Sequence, residues 1–284
     1  MKLIKLIIST LILALLFTGC SLDTKDDVIV NTEDVSICFI NSGKSDSILI
    51  KAFGKAYLID TGTKDSVESI KKALEKNQVS SIDAVFLTHT HKDHIGGLKK
   101  LTKSFDIPIV YSAEISMNEE DGTNKIEALT EEKNLKHEKL RAGDKININD
   151  DVYFEVLAPL IYNSKDDNDN SLVLRLSVYG KTILFTGDMQ FAEEESLLKS
   201  GENLKADILK VGNHGNKDAT SEEFFNTVNP EIAVITTNRK EDSGTASKRV
   251  RALLSKTKLY ITDEYDIGFL IVIKEDGSIE TYSQ

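Results

Sequence analysis

The sequence predicts an α/β (α+β) chain. Three observations carry that expectation. Short apolar or alternating runs recur along its length. Between them lie stretches with apolar residues at helical spacing. Only three prolines and no low-complexity tract interrupt the 284 residues. Many strands with flanking helices imply helices packed outside sheets. With 40% hydrophobic residues, one large domain over residues 35–284 fits this length.

The N-terminus stands apart from that domain. Lys2 and Lys5 precede an apolar run from Leu6 to Phe17, followed by Thr18-Gly19-Cys20. A positive start and a short apolar core read as a secretory signal. The run is short for a membrane span, which needs about 20 apolar residues. Phe17-Thr18-Gly19-Cys20 also resembles a bacterial lipobox. Residues 1–20 are therefore expected to be a lipoprotein signal peptide, with Cys20 as the lipid attachment and residues 21–34 as a polar tether. The expected location is exported, lipid-anchored to the outer face of a bacterial cytoplasmic membrane. The two cysteines, Cys20 and Cys38, make no disulfide framework.

Within the domain, strands are expected at 37–41, 47–52, 55–60, 84–87, 109–111, 154–157, 172–178, 182–185, 208–210, 233–236, 258–260, 268–273 and 279–282. Val67, Ile70 and Leu74 recur at helical spacing within 65–77. The stretch from Glu114 to Lys139 is rich in Glu, Asn and Lys. Its Ile126 and Leu129 suggest a short surface helix, expected to cover the site. Thr220-x-x-Glu223 reads as a capping box. Val250, Leu253 and Leu254 face one side of a later helix.

Three strands end in residues that bind metals. Ala84-Val85-Phe86-Leu87 leads into Thr88-His89-Thr90-His91-Lys92-Asp93-His94, with Gly96-Gly97 close behind. Imidazole and carboxylate together suit zinc, manganese or iron. The spacing suits two ions: His89 and His91 alternate and can face one, while Asp93 and His94 lie past the bend and can face another. A solvated polar loop explains a lone histidine better than this run. Ile183-Leu184-Phe185 ends in Thr186-Gly187-Asp188, and Ile208-Leu209-Lys210-Val211 ends in Gly212-Asn213-His214-Gly215. Alone, each of these is an ordinary turn signal. Their repetition at strand ends gives them weight.

These residues resemble the metallo-β-lactamase superfamily, and within it the hydrolase-like C-terminal domain of ComEC-type competence proteins. The run from Phe39 to Ile50, with Gly43 and Asp46, is similar to that group's opening motif. Leu58-Ile59-Asp60-Thr61-Gly62 is similar to its first Asp-x-Gly motif, and Asp169-Asn170-Ser171 to its Asn-x-Ser-type strand. The resemblance runs from about Val35 to Tyr282. It implies a four-layer αββα sandwich with two divalent transition-metal ions, zinc or manganese, at one edge. It also implies His89 and His91 on one ion, Asp93, His94 and His214 on the other, and Asp188 bridging. Asp93 and Asp188 are the candidate catalytic carboxylates, and a metal-bound hydroxide the nucleophile. Asp60 is expected to orient a ligand from behind, with Asn170 and Ser171 beside the ions or the substrate. There are departures. Asn170 stands where many members carry a further metal-binding His. His137 lies in the charged segment 132–139 and is expected to be solvated. The late Tyr-Gly-His-Pro of the competence group is replaced by Asp242-Ser243-Gly244-Thr245.

Charge bears on the substrate. Removing residues 1–20 takes out Lys2 and Lys5, leaving 33 basic against 46 acidic residues, or −13. Such a surface repels long polyanions unless a groove is basic. Lys248-Arg249-Val250-Arg251, with Lys92, Lys210, Lys217 and Arg239, could form a local anion patch. The expected function is a metal-dependent hydrolase of small phosphodiesters or single-stranded DNA. The alternatives are hydrolysis of a small ester, lactone or amide, and a non-catalytic metal-binding lipoprotein or DNA-uptake accessory. No protein partner is inferable.

Overall fold

The computed structural model of the protein describes Val28 and residues 30–284. The expected signal peptide, Cys20 and most of the tether lie outside the described residues. No helix among the described residues is long and apolar enough to cross a membrane.

The first strand, β1 (Val35–Ile40), sets the architecture. All six of its residues are buried. Val35, Ile37 and Phe39 point to one core and Cys38 and Ile40 to another. A strand buried on both faces needs cover on both. It lies in a sheet ordered β15 (Ile279–Ser283), β14 (Gly268–Ile273), β1, β2 (Ile48–Ala52), β3 (Lys55–Ile59), β4 (Ala84–Leu87), β5 (Ile109–Ala113) and β6 (Lys136–Leu140). A second sheet is ordered β13 (Lys258–Ile261), β12 (Ile232–Ile235), β11 (Ile208–Lys210), β10 (Lys181–Phe185), β9 (Val173–Val178), β8 (Val152–Ala158) and β7 (Lys145–Asn147). The sheets meet over Phe39, Phe86, Phe154 and Phe185.

Helices cover the outer faces. On the first sheet, α1 (Val67–Lys76) buries Val67, Ile70, Ala73 and Leu74, a single face at helical spacing. Burying each large apolar side chain there is worth about 1.5–3 kcal/mol. The short helices α2 (Lys92–Ile95) and α3 (Leu98–Leu101) and the surface helix α4 (Lys125–Glu132) join the same layer through Ile95, Leu98 and Ile126. On the second sheet, α5 (Phe191–Ser200), α6 (Glu222–Val228) and α7 (Lys248–Leu253) contribute Leu197, Phe224 and Val250. The result is the expected four-layer αββα sandwich.

Several local expectations are corrected. β6 and β7 were not among the strands expected from residue patterns. β6 is the outermost strand of its sheet and carries exposed Lys136 and Lys139, so it lacks an apolar signal. His137 lies on β6, only partly exposed, with Nε2 2.8 Å from the Ser112 hydroxyl. Helix α4 packs in the outer layer through Ile126, and the segment before it reaches the ligand loop through Asp167, which accepts from Met117 N at 2.9 Å and from Thr90 N at 2.8 Å. Ser221, not Thr220, caps α6, its hydroxyl accepting from the Phe224 N–H at 3.2 Å.

Candidate metal centre

Parallel pairing brings the ligand-type residues together. β3 pairs parallel to β4, and β10, β11 and β12 are parallel neighbours. The segments leaving these strands therefore emerge together, the place where open α/β sheets bind ligands. Asp60 follows β3, residues 88–94 follow β4, Asp188 follows β10, His214 follows β11 and Thr236 follows β12.

Two glycines permit the approach. Gly187 has φ +49°, and a Cβ there would stand 2.9 Å from the Ser171 Cβ. A Cβ on Gly97 would stand 2.0 Å from the Thr61 carbonyl oxygen, so only glycine lets α3 sit there. His214 is held less comfortably, with φ +52° after Asn213 at φ +44°. Its backbone carbonyl accepts from Ala246 N at 2.9 Å, and its Nδ1 lies 2.8 Å from the Thr236 carbonyl. Consecutive left-handed non-glycine residues store strain that the surroundings must hold.

The site converges on Asp93, His94, Asp188 and His214, whose ligand atoms all lie within 4.8 Å of one another. Asp188 Oδ2 is 3.2 Å from His94 Nε2 and 3.3 Å from His214 Nε2, and Asp93 Oδ2 is 3.5 Å from His214 Nε2. Yet the Nε2 atoms of His89, His94 and His214 and Oδ1 of Asp188 are buried without a hydrogen-bond partner. Buried polar atoms left unpaired are costly, so such a cluster asks for a bound group. Two imidazoles with two carboxylates suit a divalent transition metal. The residues present therefore fit a metal ion.

A layer behind the cluster aims the ligands. Asp60 Oδ2 stands 2.7 Å from His94 Nδ1, and Asp60 also accepts from Thr88 N and Thr88 Oγ1, each at 2.8 Å. His89 Nδ1 lies 3.1 Å from Thr88 Oγ1 and 3.3 Å from Ser171 Oγ. With each Nδ1 engaged, the Nε2 atoms of His94 and His214 face Asp188, while that of His89 is buried without a hydrogen-bond partner. The Ser171 hydroxyl also accepts from Asp188 N at 3.0 Å. The His89 and His91 rings lie 4.6 Å apart, and those of His89 and His94 4.1 Å apart. Asn170 is turned into its own loop: Nδ2 donates to Asp167 and to the Asn163 carbonyl, each at 2.9 Å, and Oδ1 accepts from Asn163 N at 2.8 Å. Asp169 is engaged by Gln190 N and Asn163 Nδ2, each at 2.9 Å.

Electrostatics follow from burial and charge. Burial disfavours the charged form of His94, but Asp188 and Asp60 outweigh it and hold its pKa well above the ordinary value. Burial works the same way on His214, where Asp188 and Asp46 win and raise it to about 9. His89 is pushed well below by burial and then by His94. Burial opposes ionisation of Asp188, yet His214 and His94 keep it well below the usual carboxylate range. A metal ion held by His94 and His214 would therefore have to displace protons from them.

Two buried residues, Lys210 and Asp46, support the centre from behind in a way their sequence context did not indicate. Lys210 is not part of a surface patch. Its side chain is 1% exposed, and its ammonium pairs with Asp46, donates to the Gly187 carbonyl at 2.8 Å and lies 3.7 Å from Asp188 Oδ1. Asp46 also takes the Thr236 hydroxyl and lies 3.4 Å from His214 Nδ1. A lysine inside the apolar run Ile208–Val211 was the available signal, because a charge there needs a buried partner. The arginines of the expected patch have partners within the protein. Arg239 is held by Asp263 and Glu264, and Arg249 and Arg251 donate to backbone carbonyls.

The profile of the metallo-beta-lactamase superfamily matches residues 41–237. The chain is 30% identical to ComE operon protein 3 of Bacillus subtilis (strain 168) over 64% of its length and 23% of that protein. It is 29% identical to Competence protein ComA of Neisseria gonorrhoeae over 78% of its length and 30% of that protein. The chain thus spans under a third of these relatives. The metallo-beta-lactamase fold protein YhfI from Bacillus subtilis superposes with a TM-score of 0.57 at 14% identity, covering 84% of this chain and 99% of that one. The sequence match, the two sheets with their outer helices and the unpartnered ligand atoms agree: this chain belongs to the metallo-β-lactamase superfamily and is a metal-dependent hydrolase of that fold.

Proposed function

We propose that the protein cleaves phosphodiesters, either single-stranded DNA or smaller diesters, at the outer face of a bacterial cytoplasmic membrane, anchored by lipid on Cys20. The observation that carries the chemistry is the buried set of unpartnered atoms, His89 Nε2, His94 Nε2, His214 Nε2 and Asp188 Oδ1. Asp93, His94, Asp188 and His214 would hold one divalent ion, zinc or manganese. His89 and His91 would hold a second with Asp188. When bound, such ions polarise a phosphoryl oxygen and lower the pKa of water toward ~7. The chain's own residues do the rest. Asp60 and Thr88 fix the imidazoles, Ser171 fixes Asp188, and Lys210 balances the carboxylates from beneath. The substrate class is supported by the competence proteins among the relatives. The location rests on the N-terminal sequence alone.

The test is a substrate panel on the zinc-loaded and manganese-loaded protein: bis(p-nitrophenyl) phosphate, single-stranded oligodeoxynucleotide, p-nitrophenyl acetate and a lactone. Cleavage of the diester and the oligonucleotide is expected. Diester cleavage alone removes DNA from the proposal. Activity on the ester or lactone alone replaces it. Cys20→Ala is expected to move the protein from membrane to soluble fractions or to leave it unprocessed. Unchanged membrane attachment rules out lipid at Cys20.

A further inference from the structure

Lys44 stands at the open side of the cluster. Its ammonium is 2.9 Å from Asp93 Oδ2, and its side chain remains 30% exposed. The backbone beneath it is fixed. Lys44 N donates to Glu241 Oε2 at 3.1 Å, and Asp46 N donates to the Asp93 carbonyl at 3.1 Å. Gly43 turns the chain at φ +82°, where an added Cβ would meet the Glu241 carboxylate at 3.0 Å. A partly exposed ammonium thus sits on a hydrogen-bonded base, beside a candidate metal ligand. Among the described residues, only Lys210 also brings an ammonium within 4 Å of the cluster's carboxylates, and it is 1% exposed.

The local charge says what this tip is for. Asp46, Asp60, Asp93 and Asp188 face two ammonium groups, Lys44 and Lys210. In the structure Lys44 pairs with Asp93. Two divalent ions would add positive charge to these same carboxylates. Asp93 shared with an ion is a poorer partner for an ammonium, because its charge is already spent. An anion entering the site is then the better acceptor for Lys44.

We infer that Lys44 contacts the substrate, donating to a non-bridging oxygen of a phosphate group at the metal cluster. This rests on the phosphodiester reading above. A neutral ester offers no anionic oxygen in its ground state, so Lys44 selects for anionic substrates.

The test compares wild type, Lys44→Met and Lys44→Arg, all zinc-loaded. Metal content is measured first, and all three are expected to match. Binding of thymidine 5′-monophosphate is then followed by calorimetry. Lys44→Met is expected to bind roughly 10- to 100-fold more weakly, the range for a hydrogen bond to a charged group. Lys44→Arg is expected to keep most of the affinity. KM for bis(p-nitrophenyl) phosphate is expected to follow the same order. Equal nucleotide affinity in wild type and Lys44→Met overturns the inference, as does absence of binding to wild type. Metal loss in Lys44→Met also overturns it, by making Lys44 a support for the ion. A wild type inert on phosphodiesters defeats the hydrolase reading, while the binding comparison still decides Lys44.

Discussion

His94 Nδ1 and Asp60 Oδ2 lie 2.7 Å apart, and both side chains are fully buried. The same carboxylate binds Thr88 through its N–H and its hydroxyl, so Asp60 cannot rotate away. Asp60 itself takes a left-handed turn at φ +60° to reach this position. The pair fixes which nitrogen of His94 carries hydrogen and which faces the cluster.

Asp60→Ala is therefore expected to weaken the tighter metal ion by about 10- to 100-fold, as loss of an outer ligand partner does elsewhere. Competition with a fluorescent chelator measures this. Wild-type affinity in the variant would mean that packing alone orients His94.

Much of this centre was legible in the sequence because its ligands sit at strand ends, where apolar runs stop abruptly. His89, His91, Asp93 and His94 follow β4 within seven residues of Leu87, and Asp188 and His214 close two further runs. Asp60 was legible only through the resemblance, since an Asp-Thr-Gly turn alone carries little information. Lys210 was visible but misread, because one charge in an apolar strand does not say which partner it has. Its partner Asp46 is 164 positions away, on the other sheet's first connection. β6 was not legible because an edge strand with exposed lysines shows no period-two apolar pattern.

Lys210→Met tests that misread residue. Removing the ammonium leaves Asp46 and Asp188 buried with less compensation, and breaking a buried pair from one side costs about 3–5 kcal/mol. Metal-free protein is expected to lose that much in urea unfolding. Metal-loaded protein is expected to lose less, because the ions supply positive charge to the same carboxylates. An equal loss in both forms would show that Lys210 acts through packing alone.

Glu193 gives a pH dependence away from the metal. It is fully buried on α5, and its Oε1 accepts from Leu160 N at 2.6 Å while Oε2 has no partner. Burial raises its pKa to about 7, with Asp169 adding to the rise. The folded protein then holds this proton more tightly than the unfolded chain. The contribution of Glu193 to stability is expected to be full below pH ~4.5 and to be lost as pH rises through ~7, roughly 3 kcal/mol in all. Glu193→Gln mimics the protonated form and is expected to melt higher than wild type at pH 8 but not at pH 4.5. Parallel melting curves across that range would sink the assignment.

The two ions are expected to differ in affinity. Asp93, His94, Asp188 and His214 form one four-ligand group. His89 and His91 have only Asp188 to share, since Asn170 and Asp169 are engaged within their own loop. Dialysis against a weak chelator should thus strip one ion well before the other, followed by elemental analysis. His91→Ala is expected to retain about one ion and to lose turnover. Asp188→Ala is expected to lose both ions and turnover, because Asp188 Oδ2 stands between His94 and His214 while Oδ1 is unpartnered. Both variants should fold, as neither residue belongs to the apolar cores. Equal affinities in wild type, or two retained ions in Asp188→Ala, would remove Asp188 from its place between the sites.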